Sequence, residues 1–401
     1  MSSPLRVSAI PIFTDLGMVW SIVYSSFISM KYVVTSDVHL GHPKTPTTHI
    51  IASFKKHILN DLNRDIDALF VSGDFFDRLL DLNAKDVHYI VEFFNHLLTY
   101  CIRNDICLRV LEGTPSHDWQ QSQILVKLND IRDVKCDLKY HKSLDIDYID
   151  KLGKHVLYIP DEWVNTHEEL EKQIQQKLIE HHISQVDIAI LHGQFKYQFA
   201  GKPYHGFYFR EEYFLRLVRG FIHVGHYHTY TYLDRIIANG SLERLAHGEE
   251  QPKGYVRVED DRYSFIENTS AYIYKTLHAT ASMTLDKLDK QIAKYPADSH
   301  IRLLMSKDHP FNVTFAEVKL RYPDHHLKKL IKEQAAEDSS ITYILSESEI
   351  DLDGKFILDS NIHQLLMDNI LAKHQLNPIE HAKLVNYVHI FKETEHAPVT
   401  A

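Results

Sequence analysis

Cysteine is scarce in this 401-residue chain: Cys101, Cys107 and Cys136 are the full set, and no two of them form a CxxC pair. An odd, unpaired set argues against a disulfide scaffold and against structural zinc, and it points to a reducing compartment, the cytoplasm. Glycine (14) and proline (13) are also sparse, which leaves little room for long disordered tracts. Long apolar runs are lacking. Residues 18–30 (MVWSIVYSSFISM) are too few to span a bilayer and have only Arg6 as a basic flank, so neither a membrane span nor a signal peptide is expected. Positive charge is not in surplus: the formal net charge is −10, and a broad phosphate-neutralising surface is not indicated. Any affinity for nucleic acid must come from a local basic patch, from metals or from a partner. What is abundant is histidine, 28 residues in all, and imidazole is the commonest side chain for borderline transition metals.

The length suggests two or three domains at about 150 residues each. Residues 1–29 read as an extension upstream of a domain that begins at Met30, directly before the strand-like KYVVTSD. Short β-branched runs at 32–35, 68–72, 106–111, 155–159, 187–191 and 220–224 alternate with helical patterns such as 48–63 and 84–103, the signature of α/β layering. Asp37, Asp74, Ser116, His192 and His226 fall at or just past the carboxyl ends of these runs, where open α/β sheets gather ligands. After His228 come strand-rich pieces at 230–238, 254–259 and 263–267, expected to close a second sheet into a sandwich. Residues 271–350 read as a small α+β domain, with strands at 271–278, 301–305 and 341–345 and a helix at 285–294. Two amphipathic helical segments follow, at 361–376 and 378–391.

Five short signatures occur in order: Asp37-Val-His39, Gly73-Asp74-Phe-Phe-Asp77, Gly113-Thr-Pro-Ser116-His117-Asp118, Leu191-His192-Gly193 and Gly225-His226-Tyr-His228. In extended backbone, residues i and i+2 project to one side, so Asp37 with His39, and His226 with His228, can each aim two donors at one place. Asp74 ends a buried run and is the natural bridge, because a carboxylate can hold one ion with each oxygen. Gly73, Gly113, Gly193 and Gly225 permit the close turns such packing needs. Two divalent cations against Asp37 and Asp74 leave surplus positive charge, the arrangement for hydrolysis of a phosphate ester. The imidazole-rich donor set favours Mn first, then Fe or Zn, over Mg or Ca.

These five signatures resemble those of the calcineurin-like metallophosphoesterase superfamily. Within it the chain is similar to SbcD-type double-strand-break repair nucleases, including the recombination nuclease subunits of tailed phages. The discriminating stretch is Asn239-Gly-Ser241-Leu-Glu243-Arg244-Leu-Ala-His-Gly248-Glu249-Glu250, followed by Lys253-Gly254, which resembles the segment that ends the SbcD-type nuclease domain. The resemblance covers residues 30–270 well and the small domain loosely. It implies a β-sandwich flanked by helices over 30–270, a small α+β capping and DNA-binding domain over 271–350, and C-terminal helices over 351–401 that grip a coiled-coil ATPase of the SbcC type. It also implies 3′–5′ exonuclease and single-strand endonuclease activity, in a homodimer.

Carried over residue by residue, the resemblance gives one metal Asp37, His39, Asp74 and His228 and the other Asp74, Ser116, His192 and His226. His117 resembles the family's catalytic histidine, with Asp118 orienting it and Asp77 holding a ligand by hydrogen bond. The family has Asn where Ser116 stands, and a hydroxyl is a weaker ligand, so this metal would be held more loosely or with water. Lys196, Lys202 and Arg210, interleaved with Tyr197 and Tyr204, are candidates for phosphate positioning on DNA. His42 and His49 are expected to face solvent, and His223 to pack in the core or at an edge. Two rivals remain: a phosphatase or cyclic-nucleotide phosphodiesterase using the same centre, and a non-catalytic scaffold for DNA or the ATPase.

Overall fold

The computed structural model describes the backbone of residues 7–14 and 17–24, and residues 30–332 apart from 63–64, 82, 162–163, 165 and 200–205. The described residues all belong to one compact unit, Met1–Thr342. The expected strand at 341–345 and the two C-terminal helices lie outside the described residues. In the amino-terminal extension, β1 (Val7–Thr14) and β2 (Gly17–Tyr24) pair as an antiparallel hairpin.

From Met30 onward the strands run in chain order as β3 (Lys31–Thr35), β4 (Ala68–Ser72), β5 (Cys107–Leu111), β6 (Leu138–His141), β7 (Asp145–Ile149), β8 (Lys154–Ile159), β9 (Ile188–His192), β10 (Ile222–Gly225), β11 (Thr231–Leu233), β12 (Ile236–Ala238), β13 (Gly254–Glu259) and β14 (Arg262–Glu267). They form two six-stranded mixed sheets, ordered β14-β13-β3-β4-β5-β6 and β11-β12-β10-β9-β8-β7. The sheets meet through Tyr32, Val34, Phe70 and Leu111 on one side and Val156, Tyr158, Ile188 and Ile190 on the other, all buried. Helices cover the outer faces. Phe54, Phe93, Phe94 and Leu97 pack on Val33, Leu69 and Val110, while Leu170, Ile174, Phe214 and Leu217 pack on Leu157, Ala189 and Val224. Because β4, β5 and β9 are covered on both faces, every residue in them is buried, which explains why they read as mostly apolar runs and not as alternating ones; the buried Arg109 in β5 is paired with Asp147 at 2.7 Å.

The long helix Lys85–Arg103 illustrates the local logic. Its buried residues Ile90, Phe93, Phe94, Leu97, Leu98 and Cys101 recur at spacings of three and four, one apolar stripe on a 3.6-residue period. It stops at Asn104, and Asp105 turns back with a left-handed φ of +53°.

The small domain departs from the α+β expectation. β15 (Tyr274–Ala279), β16 (His300–Ser306) and β17 (His326–Lys332) are all parallel, and helices at Leu285–Ile292, Pro310–Val313 and Phe315–Leu320 lie in the crossovers. Parallel neighbours require such a return of the chain between strands. Leu288, Ile292, Phe311 and Val318 bury one face of the sheet against Leu277, Ile301 and Leu303.

His223 lies in the core as expected. It is fully buried, 3.2 Å from the Tyr32 hydroxyl through Nε2 and 3.1 Å from the Asn239 side-chain oxygen through Nδ1. A neutral ring that donates from Nδ1 and accepts at Nε2 satisfies both partners. Burial drops its pKa from 6.5 to about 4. Between those values the unfolded chain carries a proton that the folded chain refuses, so this contribution is complete above pH ~6.5 and is lost as pH falls toward 4, on the order of 3 kcal/mol in all. His223→Gln should therefore lose less stability than wild type between pH 7 and pH 4.5, measured by denaturant midpoints. Parallel pH slopes for the two proteins would refute the assignment.

Candidate metal centre

The parallel strands of both sheets end at one rim. Thr35 pairs with Val71, Ser72 with Leu111, and His192 with Gly225, so the loops that follow emerge side by side. The two sheets are stitched together there by small residues: the Ser72 hydroxyl donates to the Leu191 carbonyl (2.7 Å) and the Ser36 hydroxyl to the Gly240 carbonyl (2.9 Å).

Asp37 and His39 converge by a different route from the extended one expected. Their φ angles are +49° and +54°, and those of Asp74 and His226 are +47° and +83°. Left-handed turns, not strand alternation, aim these side chains, and they are fixed by backbone bonds from Asp37 to Gly73 and from Val38 and His39 to Asp74. The short polar side chain of Asp tolerates this region better than most. Glycine is obligatory at Gly113, where a β-carbon would overlap the Asp74 backbone nitrogen and carboxylate. Gly73, at φ +81°, faces the His192 ring in the same way.

Asp74 is buried at the middle of the cluster. Its Oδ1 accepts from the Thr114 backbone N–H at 2.5 Å and lies 3.3 Å from His192 Nε2. Its Oδ2 lies 3.0 Å from His117 Nδ1, 3.2 Å from the Thr114 hydroxyl and 4.0 Å from His39 Nε2. Asp37 accepts from the His226 backbone N–H at 2.9 Å and lies 3.8 Å from His228 Nε2. Three overlapping donor sets result: Asp37, His39 and His228; His39, Asp74 and His117; Asp74, His192 and His226. In each, the ligand atoms lie within 4.8 Å of one another. These residues fit divalent cations held by nitrogen and carboxylate donors.

The imidazoles are oriented from behind. His192 Nδ1 donates to the Ser72 carbonyl at 2.8 Å, His39 Nδ1 lies 3.2 Å from Asp77 Oδ1, and His228 Nδ1 lies 2.9 Å from Glu249 Oε1. All three thereby turn Nε2 toward the centre, as metal-ligating histidines commonly do. Asp77 thus stands behind His39 as a charge partner. Glu249 is an addition to the sequence reading, and the fully buried Lys253 extends it, with Nζ 2.7 Å from Glu249 Oε2 and 2.8 Å from the His228 carbonyl.

Electrostatics follow the packing. Burial pushes the Asp74 carboxyl up, but the His192 charge and hydrogen bonds from His117 and His192 outweigh it and hold Asp74 well below the usual carboxylate range. Burial disfavours a proton on His192, yet the Asp74 carboxylate holds its pKa up at about 10. Burial, reinforced by His192, pushes His226 down to about 4.

Ser116 is exposed, and its carbonyl accepts from the Trp119 indole N–H at 2.9 Å. The hydroxyl that reaches the centre belongs to Thr114, 3.2 Å from Asp74 Oδ2, 3.4 Å from His192 Nε2 and 3.2 Å from His226 Nδ1. The available signal was the adjacency of Thr114 to Gly113. Asp118, expected to orient His117, is buried and accepts from the backbone N–H groups of Phe76 (2.8 Å) and Gly113 (2.7 Å), fastening the loops that carry Asp74 and Thr114. Burial, with Asp74 and Glu112 nearby, raises its pKa well above the ordinary range. His42 and His49 are half-buried and not simply solvent-facing. His42 Nδ1 accepts from the Lys44 and Thr45 backbones, and His49 stacks on Tyr272 at 4.0 Å.

The expected phosphate contacts fare differently. Lys196 and Arg210 are exposed, but Arg210 is ion-paired with Glu171. A cleft of 330 Å³ there is lined by Lys196, Arg210 and Arg216 against Glu171, Glu211 and Glu212, so its charges balance and it is not a basic stripe. Lys202 lies outside the described residues.

No protein-family model matches the chain, and no curated protein matches it. One crystal structure aligns with 60% of this chain and 100% of its own at a TM-score of 0.36 and 11% identity, a likeness too low to carry an argument.

Two outcomes test the geometry. Thr114→Val should weaken Mn binding in calorimetric titration while Ser116→Ala leaves it unchanged; the reverse order would return Ser116 to the centre. Glu249→Gln should lower Mn affinity about 10- to 100-fold without changing the donor atoms, and undiminished affinity would make the Glu249–Lys253 pair purely structural.

Proposed function

We propose that this chain is a two-metal phosphoesterase that hydrolyses DNA, a nuclease of the SbcD type within the calcineurin-like metallophosphoesterase fold. The observation that carries the reading is the placement of Asp74. One buried carboxylate belongs to two donor sets at once, facing His192 with one oxygen and His39 and His117 with the other. Asp37, His39, Asp74 and His228 would hold one cation, and Asp74, His192 and His226 with the Thr114 hydroxyl the other. Mn is the first choice among Mn, Fe, Zn and Mg, because imidazole outnumbers carboxylate. Bound there, the two cations supply Lewis-acid polarisation of the phosphate and activation of water.

The chain's own residues do the rest. Asp74 and Asp37 set the spacing of the donors. Ser72, Asp77 and Glu249 keep three rings turned inward. His117 keeps 23% of its side chain exposed, and in this reading it hands a proton to the leaving oxygen. The segment that carries the family resemblance also serves this centre, since it contributes Glu249 and Lys253 behind His228. With the resemblance come 3′–5′ exonuclease and single-strand endonuclease activity, a homodimer, and a coiled-coil ATPase of the SbcC type as partner. A second reading of His117 has its own support: Nδ1 lies 3.0 Å from Asp74 Oδ2 inside a donor set, the position of a ligand.

The purified full chain should degrade linear DNA with Mn and stop on addition of EDTA. Hydrolysis confined to nucleotides or small phosphodiesters would favour the phosphatase reading instead. His117→Asn should reduce cleavage by about 10²- to 10⁴-fold with metal stoichiometry intact by elemental analysis. Metal lost along with activity would assign His117 as a ligand.

A further inference from the structure

The loop that carries His117 does not return to ordinary backbone after Asp118. Trp119 sits at φ +46° and ψ +33°, and Gln120 follows at φ +55°. Two adjacent non-glycine residues thus occupy the left-handed region, one of them bulky, where such side chains are rare. Strain of this kind persists only when the surroundings enforce it, and it concentrates at ligand-binding sites. Trp119 is also 55% exposed, although tryptophan is among the more buried residue types on average.

The exposed ring is held in place. Its indole N–H donates to the Ser116 carbonyl at 2.9 Å, so its plane is anchored to the loop. The turn beneath it is clamped by the Gln120 backbone N–H, which donates to Glu112 Oε1 at 2.8 Å. Gln121 then reaches across to the loop that follows Asp77: its Oε1 accepts from the Leu80 backbone N–H and its Nε2 donates to the Arg78 carbonyl, both at 2.9 Å. That second loop presents an exposed apolar side chain of its own, Leu79, at 57%. The loops that supply His117 and Asp77 therefore each display an apolar side chain to solvent, and Gln121 adds a second tie between them to the one that Asp118 makes.

We propose that Trp119 is a nucleobase-stacking platform at the rim of the metal centre, taking the unpaired base of the nucleotide whose phosphate enters the site. The inference rests on the phosphoesterase reading above and names a subsite for its substrate. A flat, pre-oriented aromatic face suits any base, because every base offers a π-face and stacking does not depend on sequence. In a nucleotide the base is one sugar away from its phosphate, and Trp119 is two residues from His117. Leu79 adds apolar surface on the neighbouring loop. Rigidity is the use of the strain: a ring fixed before binding loses little freedom when a base settles on it.

The test compares the wild-type full chain with Trp119→Ala, Trp119→Phe and Trp119→Gly on single-stranded oligothymidylate, with and without a base on the terminal nucleotide. In the wild type, removing that base should lower kcat/KM by on the order of tenfold. Trp119→Ala should show that loss on the intact oligonucleotide and no further loss on the abasic one, while Trp119→Phe keeps most of the wild-type preference. Trp119→Gly relieves the left-handed strain, so it should raise the melting temperature while weakening DNA binding. An equal abasic penalty in wild type and Trp119→Ala overturns the platform. A Trp119→Gly protein that melts lower yet binds DNA unchanged also overturns it, because the ring's role is then structural. A wild type that cleaves no DNA removes the nuclease reading instead. The platform is then judged by anisotropy of labelled oligothymidylate in EDTA, where unchanged affinity in Trp119→Ala defeats it.

Discussion

A buried ionised carboxylate is tolerated only when charge and hydrogen bonds surround it, and the rim of this sandwich is organised around that requirement at Asp74. The Thr114 backbone and hydroxyl, His117 and His192 all address its two oxygens. Each comes from a different loop or sheet from Asp74 itself, so satisfying one side chain brings the β4, β5 and β9 ends together. The approach is close enough that Gly113 has no room for a side chain. Without that convergence the histidines would be scattered over nearly two hundred residues of chain.

The convergence has a conformational cost. Asp37, His39, Asp74 and His226 all lie at positive φ, each of order 1–2 kcal/mol for an L-residue. The backbone ladder from 37–40 to 73–75 offsets it, continuing sheet-like hydrogen bonding past the point where β3 and β4 end. Strain held by a rigid scaffold is a common property of functional rims. It continues into Trp119 and Gln120, two and three residues along the chain from His117.

Behind the donors stands a second layer whose members differ in kind. His192 leans on a backbone carbonyl, His39 on Asp77 and His228 on Glu249. Glu249 is in turn neutralised by Lys253, a lysine with no exposure that also grips the His228 carbonyl. A buried lysine is costly unless paired, and here the pairing locks the 239–254 segment against the centre. The cleft around Arg210 shows the contrast: its cations are matched by neighbouring carboxylates and hold no surplus for a polyanion.

Much of this was legible in the sequence. The sandwich strands follow from apolar runs buried on both faces, and Asp37, His39, Asp74, His192, His226 and His228 could be picked out as candidate donors because each follows such a run. Asp77 could be placed as a support from its distance to Asp74 along the chain. Other features were decided by tertiary structure. Residue spacing does not encode the sign of φ, so the left-handed turns at Asp37 and His39 replaced the expected extended pairing. The handoff from Ser116 to Thr114 has the same origin, because the tight turn after Gly113 determines which hydroxyl points inward. The small domain's parallel order could not be read either, since strand direction depends on how the crossover helices return the chain. Glu249 and Lys253 stood within a segment recognised by resemblance, but their contact with His228 exists only where two distant loops fold onto one ring.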